Sequence, residues 1–75
     1  MKSVTTIKNY GTNIEVFFET SDGKDGWKSY YSDEFLNGVE PVTQEEFEDE
    51  LAEEGFDSES IKKIVLDCNI NGWLD

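Results

Sequence analysis

Residues 42–56 read VTQEEFEDELAEEGF. This is a helix with both ends written into it. Thr43, followed three residues later by Glu46, is a capping box, in which the two side chains satisfy backbone groups that the first turn leaves free. Val42 before the cap and Phe47 beyond it have the spacing of a hydrophobic staple. Gly55 can take the left-handed conformation that closes a helix, and Phe56 just past it can fold back on Leu51. The predicted helix is 44–54, with a thin apolar stripe of Phe47, Leu51 and Ala52.

Working outward, Asp57 or Ser58 caps a second helix at 59–68. There Ile61, Ile64, Val65 and Cys68 follow the i, i+3, i+4, i+7 rule and give it a buried face. Asn71-Gly72 ends that helix, and Trp73-Leu74 is apolar enough to dock on the core. On the other side, Pro41 holds Glu40 out of the helical region. Residues 32–36 have the pattern of one helical turn capped by Ser32 and ended by Asn37-Gly38.

Upstream the period changes from helix to strand. Residues 4–10 (VTTIKNY) are rich in β-branched side chains and read as a strand, broken by Gly11-Thr12. Residues 13–20 (NIEVFFET) alternate: Ile14, Val16 and Phe18 fall on one face, Glu15, Phe17 and Glu19 on the other. Residues 21–26 (SDGKDG) have the composition of a hairpin loop, and 27–32 (WKSYYS) form a third strand. The fold class that follows is α+β: a three-stranded antiparallel meander and then two helices packed on one face. One domain over 1–75 is expected from the length. The expected core is Ile14, Val16, Phe18, Trp27, Phe47, Leu51, Phe56, Ile61, Ile64, Val65 and Leu74.

Hydrophobic content is only 36%, but aromatics at 13% raise the area buried per residue and argue for a folded domain over a disordered acidic tail. A single cysteine, Cys68, rules out an internal disulfide. The start, Met1 to Thr6, has no apolar run long enough for a signal peptide, and nothing approaches the roughly 20 apolar residues that span a bilayer. A cytoplasmic protein is therefore expected.

The formal net charge is −12. Residues 1–32 hold four acids and four lysines, and residues 60–75 hold two of each. The entire imbalance lies in 33–59, with twelve acids and no lysine. Such a surface is repelled by nucleic acid and by anionic membranes and attracts basic partners. Seven carboxylates over eleven helical residues amount to about one per 2.4 Å of axis, against about one per 1.7 Å for duplex DNA. A groove built to grip phosphates can grip this helix. The candidate binding residues are Glu45, Glu46, Glu48, Asp49, Glu50, Glu53 and Glu54, with Asp33, Glu34, Asp57 and Glu59 at the edges. The competing reading is a solvated face that keeps a small domain soluble.

A short, strongly acidic chain with strands first and acidic helices after resembles the small anti-CRISPR and anti-restriction inhibitors of bacteriophages. The similarity of layout to short type I-F anti-CRISPRs covers roughly residues 3–56. It rests on the Val4-Thr5-Thr6 start, the aromatic strand around Ile14 to Phe18, and Gly38-Val39 before the acidic helix. The resemblance implies a non-enzymatic inhibitor whose carboxylates occupy the DNA-binding groove of a bacterial defence complex, acting as a monomer or small homo-oligomer in a bacterial cytoplasm. Its partner would be a basic nucleic-acid-binding host protein, with no direct contact to nucleic acid or membrane and no cofactor. The alternative is a general interaction module working through aromatic residues on the outer sheet face, Phe17 and Tyr30, with the acid serving solubility.

Two further patterns compete with plain helix ends. Asp67, Asn69, Asn71 and Asp75, with Gly72 between, match the first nine positions of an EF-hand calcium loop but lack the bidentate glutamate at position twelve. Residues 47–68 resemble the first two helices of a ubiquitin-associated domain, with Gly55-Phe56 in place of its Gly-Phe loop; no third helix follows. In both cases the helix-end reading is preferred. Catalysis has little footing, because there is no histidine or arginine and Cys68 falls on an apolar face where a thiol is usually inert.

Overall fold

The segment with the cleanest alternation, 13–20, becomes the central strand. The computed structural model describes residues 1–37 and 40–74, and the side chains of all of these except Glu34, Leu36, Asn37, Glu40 and Pro41. Strands β1 (Lys2–Asn9), β2 (Asn13–Thr20) and β3 (Asp25–Tyr31) pair antiparallel in the order β1-β2-β3. A 3₁₀ turn (Ser32–Phe35) leads to two short paired strands, β4 (Leu36–Asn37) and β5 (Glu40–Pro41). Helices α1 (Gln44–Glu53) and α2 (Ser58–Ile70) then cover one face of the sheet. The architecture is the expected α+β meander with two helices; the β4–β5 pair was not expected. Among the described residues no helix is long and apolar enough to cross a membrane.

The helix ends form as their residues dictate. Thr43 Oγ1 accepts from the Glu46 N–H at 3.2 Å and donates to Glu46 Oε1 at 3.1 Å. At the far end Gly55 has φ +96°, and the Gly55 and Phe56 amides donate to Ala52 O and Leu51 O. That double bond is a Schellman motif. The same motif closes α2, with Gly72 at φ +74° and amides of Gly72 and Trp73 donating to Asn69 O and Cys68 O. It turns Trp73 into the core, where its ring lies 5.1 Å from that of Phe35. Between the helices Asp57 is the cap, its Oδ1 accepting from the Ser60 N–H at 2.8 Å.

The turn between the helices also closes the start of the β1 edge. Lys2 N donates to Gly55 O, Asp57 N donates to Lys2 O, and Val4 N donates to Ser60 Oγ at 2.7 Å. These bonds satisfy backbone groups that an open edge strand would leave exposed.

Register decides which side chains meet the helices. Val4 pairs with Phe18 and Thr6 with Phe17, so the ladder slips by one residue between them. This β-bulge keeps Val4 and Ile7, three apart in sequence, on the same helix-facing side, where both pack against the core. In β3, Tyr30 pairs with Ile14 and Trp27 with Phe17. Tyr30 is therefore buried at 5%, and Trp27 stands outside at 63% exposure. Two expectations are corrected here: Trp27 is not core, and Tyr30 is not on the outer face. Strand period alone could not say which aromatic faces in, since both sit in the same segment with opposite parity.

The remaining expected core residues are buried or packed against it, with Phe18, Ile61 and Leu74 partly covered. Phe35, Cys68 and Trp73 complete the interior. Edge-to-face contacts of Phe47 with Tyr30 (5.7 Å) and with Phe35 (4.8 Å) tie α1 to β3 and to the 3₁₀ turn. β3 starts two residues earlier than expected, so Gly26 lies opposite Phe18. The Phe18 ring fills that place, since a Cβ on Gly26 would come within 2.7 Å of it.

Candidate protein-interaction surface

At roughly 100° per residue, the buried positions Phe47 and Leu51 fix the inner side of α1. Glu45, Asp49 and Glu53 then lie on the side away from the core, with Glu46 and Glu50 next to them. All five are exposed. They share an arc of about 140° along about 12 Å of axis, again near one charge per 2.4 Å. Among the described residues the only ion pair within 4 Å is elsewhere, between Lys28 and Glu54.

The other sequence candidates divide. Glu54 turns toward the sheet, pairing with Lys28 Nζ and accepting from Tyr30 Oη at 3.1 Å. Lys28 Nζ also lies 4.9 Å from the Tyr30 ring centroid. Burial, followed by the Glu54 charge, raises the Tyr30 phenol above its usual value. Glu48 is half-buried and accepts from Gln44 Nε2 at 3.2 Å. Asp57 is committed to its cap and to Ser3, whose hydroxyl donates to Oδ2 at 2.7 Å. The Ser3 and Ser60 hydrogen bonds hold its carboxyl down at about 2. Asp33 and Glu59 are exposed, off α1; the Glu34 side chain lies outside the described residues. Glu54 and Asp57, expected on the binding surface, are instead bonded within the fold. Their partners, Lys28 and Ser3, lie more than twenty and fifty residues away.

The calcium pattern does not form a loop. Helix α2 runs through Asp67 and Asn69 to Ile70. Asp67 accepts from Asn9 Nδ2 on β1, and Asn69 donates to Gln44 on α1, so the two side chains part in opposite directions. Among the described residues no three His, Cys, Asp or Glu side chains are grouped to hold a metal ion; Asp75 lies outside the described residues. In the helix hairpin, Phe56 is buried at 5% and edge-on to Phe18 at 5.4 Å, so the Gly-Phe turn is a packing feature. Cys68 is fully buried, and burial pushes its thiol up to about 12.

The outer sheet face carries exposed aromatics that the period did not single out: Trp27, Tyr31 at 52% and Tyr10 at 57%. Phe17 is half-buried and pairs with Trp27, with Lys8 Nζ 5.5 Å from its ring centroid. An open groove of about 380 Å³ is lined by Thr5, Thr6, Lys8, Phe17, Asp25 and Gly26 and by the core-side Phe18, and not by Trp27. Against known proteins, no family model, no curated protein and no solved structure matches this chain.

Proposed function

We propose that this chain is a non-enzymatic inhibitor, of the anti-CRISPR or anti-restriction type it resembles, that places the outward face of α1 in the nucleic-acid groove of a basic host protein in a bacterial cytoplasm. The observation that carries the reading is the single arc of exposed carboxylates, Glu45, Glu46, Asp49, Glu50 and Glu53, with no cation paired to it among the described residues. A fold under no such demand gains by interspersing lysines there, because like charges at i, i+4 each cost about 0.2–0.5 kcal/mol.

The test begins with a pull-down from bacterial lysate at low salt, eluted by a salt gradient and by competing duplex DNA. Reversing Glu46, Asp49, Glu50 and Glu53 to lysine should abolish capture of the DNA-eluted protein and leave the thermal melt cooperative. Binding that ignores both ionic strength and DNA refutes the reading.

The alternative, an interaction module using the aromatic sheet face, draws support from the exposure of Trp27. It predicts that alanine at Phe17 and Trp27 costs more binding than charge reversal on α1. Tyr30 no longer belongs to that face.

A further inference from the structure

We propose that the free edge of β3 takes up an extended cationic segment of another protein as a fourth strand of the sheet, with its arginine or lysine side chains beside Trp27 and Asp25. The inference does not rest on the role given to α1.

Backbone direction comes first. In an antiparallel ladder, bonded and non-bonded pairs alternate. Thr20 N donates to Lys24 O before β3, and Ser32 N donates to Thr12 O after it. With the β2–β3 register between them, Gly26, Lys28 and Tyr30 fall in bonded pairs. The N–H and C=O groups of Asp25, Trp27 and Ser29 therefore point away from β2. The β1–β2 hairpin gives the same phase: Tyr10 N donates to Asn13 O, so the odd-numbered residues of β2 bond toward β1. Among the described residues nothing bonds the outward backbone groups of Asp25, Trp27 and Ser29.

Edges that are not used for pairing are covered, bulged, or given proline or lysine. β1 is treated in this way. Its start bonds Gly55, Asp57 and Ser60, its ladder carries the bulge, and it holds Lys2 and Lys8. β3 has none of these devices at its outward-bonding residues: its register is unbroken and it contains no proline. Unmet donors and acceptors at alternate residues complement an extended backbone, the mode by which peptides add to a sheet edge.

Charge decides which extended segment fits. The side chains of Asp25, Trp27 and Ser29 lie on the outer face, across from Glu19, Phe17 and Glu15. Lys2 and Lys28 point to the helix side, over Phe18 and onto Glu54. The outer face therefore sets Glu15, Glu19 and Asp25 against Lys8, which stands opposite Glu15. Glu19 and Asp25 are exposed and directly opposed, a like-charged cross-strand pair that costs stability. Among the described residues no cation lies within 4 Å of either. A guest cation beside Asp25 relieves that repulsion. One beside Trp27, which is 63% exposed, gains the strongest of the cation–π pairings. A second copy would bring the same acids on another molecule of net −12, so the occupant is a basic strand of a different protein.

Strand alternation then asks for small apolar residues between the cations. On the helix-facing side, Lys28 and Tyr30 border a cavity of about 80 Å³ with Phe35, Val42, Phe47 and Glu50. A cavity of about 150 Å³ holds benzene, so this one has room for a small aliphatic side chain.

The probe is a short peptide alternating arginine and valine, titrated at about 0.05 M NaCl and followed by tryptophan emission and amide hydrogen exchange. In the free chain the Trp27 and Ser29 amides should exchange much faster than those of Lys28 and Tyr30, and the peptide should slow them. A peptide with glutamate in place of arginine should not bind. N-methylation of one alternate set of peptide amides should weaken binding about tenfold or more, through lost backbone bonds. Methylation of the other set, which faces away from β3, should cost far less. Asp25→Lys should lose several-fold more affinity than Glu45→Lys, an equal charge change on α1. No binding at about 1 mM peptide, equal binding of the glutamate peptide, or equal effects of the two methylations overturns the proposal. A larger loss from Glu45→Lys also overturns it and assigns the peptide to α1. Protection of the Trp27 and Ser29 amides that grows with protein concentration alone overturns it in favour of a second copy.

Discussion

Replacing Asp49 with lysine should stabilise the fold and weaken partner binding at once. Asp49 is exposed at the centre of the outward arc, one turn after Glu45 and one turn before Glu53. Both pairs are like-charged at i, i+4. Each costs about 0.2–0.5 kcal/mol, and a lysine converts each to an attraction of similar size. The pair with Glu45 has the favourable order, acid N-terminal to base, and the pair with Glu53 the weaker one. Together they give about 0.8–2 kcal/mol of added stability. In a domain of this size 1 kcal/mol moves Tm by about 4–8 °C. Thermal unfolding followed by circular dichroism, at about 20 and 500 mM NaCl, reads the effect. The Debye length falls from about 20 Å to about 4 Å between these conditions, so most of the gain should vanish at the higher salt. Asp49→Gln separates the parts, removing repulsion without adding attraction, and should give about half the rise. An unchanged Tm at low salt, or an equal rise at both salts, would refute the claim that α1 carries electrostatic strain.

Three further outcomes follow from single residues. Gly55→Ala meets no atom within 4 Å but holds φ +96°, so its cost is backbone conformation alone, about 1–2 kcal/mol; urea unfolding should show a lower midpoint at constant m, and an unchanged midpoint would mean that the turn does not need glycine. Asp57 has a folded value of about 2, below its ordinary 3.8, so its contribution is present above the unfolded value and lost as pH falls toward 2. The stability difference between wild type and Asp57→Ala should therefore shrink steadily from pH 5 to pH 2 in denaturant titrations; a constant difference contradicts the assignment. Cys68, buried and raised to about 12, should resist a thiol reagent at pH 8 until the chain unfolds, and rapid labelling of native protein would show that the end of α2 opens locally.

Much of the fold was legible because its signals are local. Thr43 before Glu46, Gly55 before Phe56 and Gly72 after Asn71 each mark a helix end within a few residues and each sits at one, while of the two caps open for α2, Asp57 and Ser58, the structure uses Asp57. The alternation at 13–20 likewise identified Ile14 and Val16 as core. What was not legible depends on partners distant in the chain. The slip between Val4 and Thr6 puts Ile7 inside. The β2–β3 register chooses Tyr30 over Trp27. Neither leaves a mark in the strand's own residues.

The acidic surface shows the same division. Its existence, and its confinement to 33–59, is a property of composition along the chain, since neutral flanks leave the excess nowhere else to go. Which carboxylates face solvent is a property of packing. Burial of Phe47 and Leu51 sets the rotation of α1. That rotation aims Glu54 at Lys28 and Tyr30 and leaves Glu45, Glu46, Asp49, Glu50 and Glu53 outward. Charge is carried by each residue wherever the chain goes, whereas direction belongs to a side chain only after the core around it has closed.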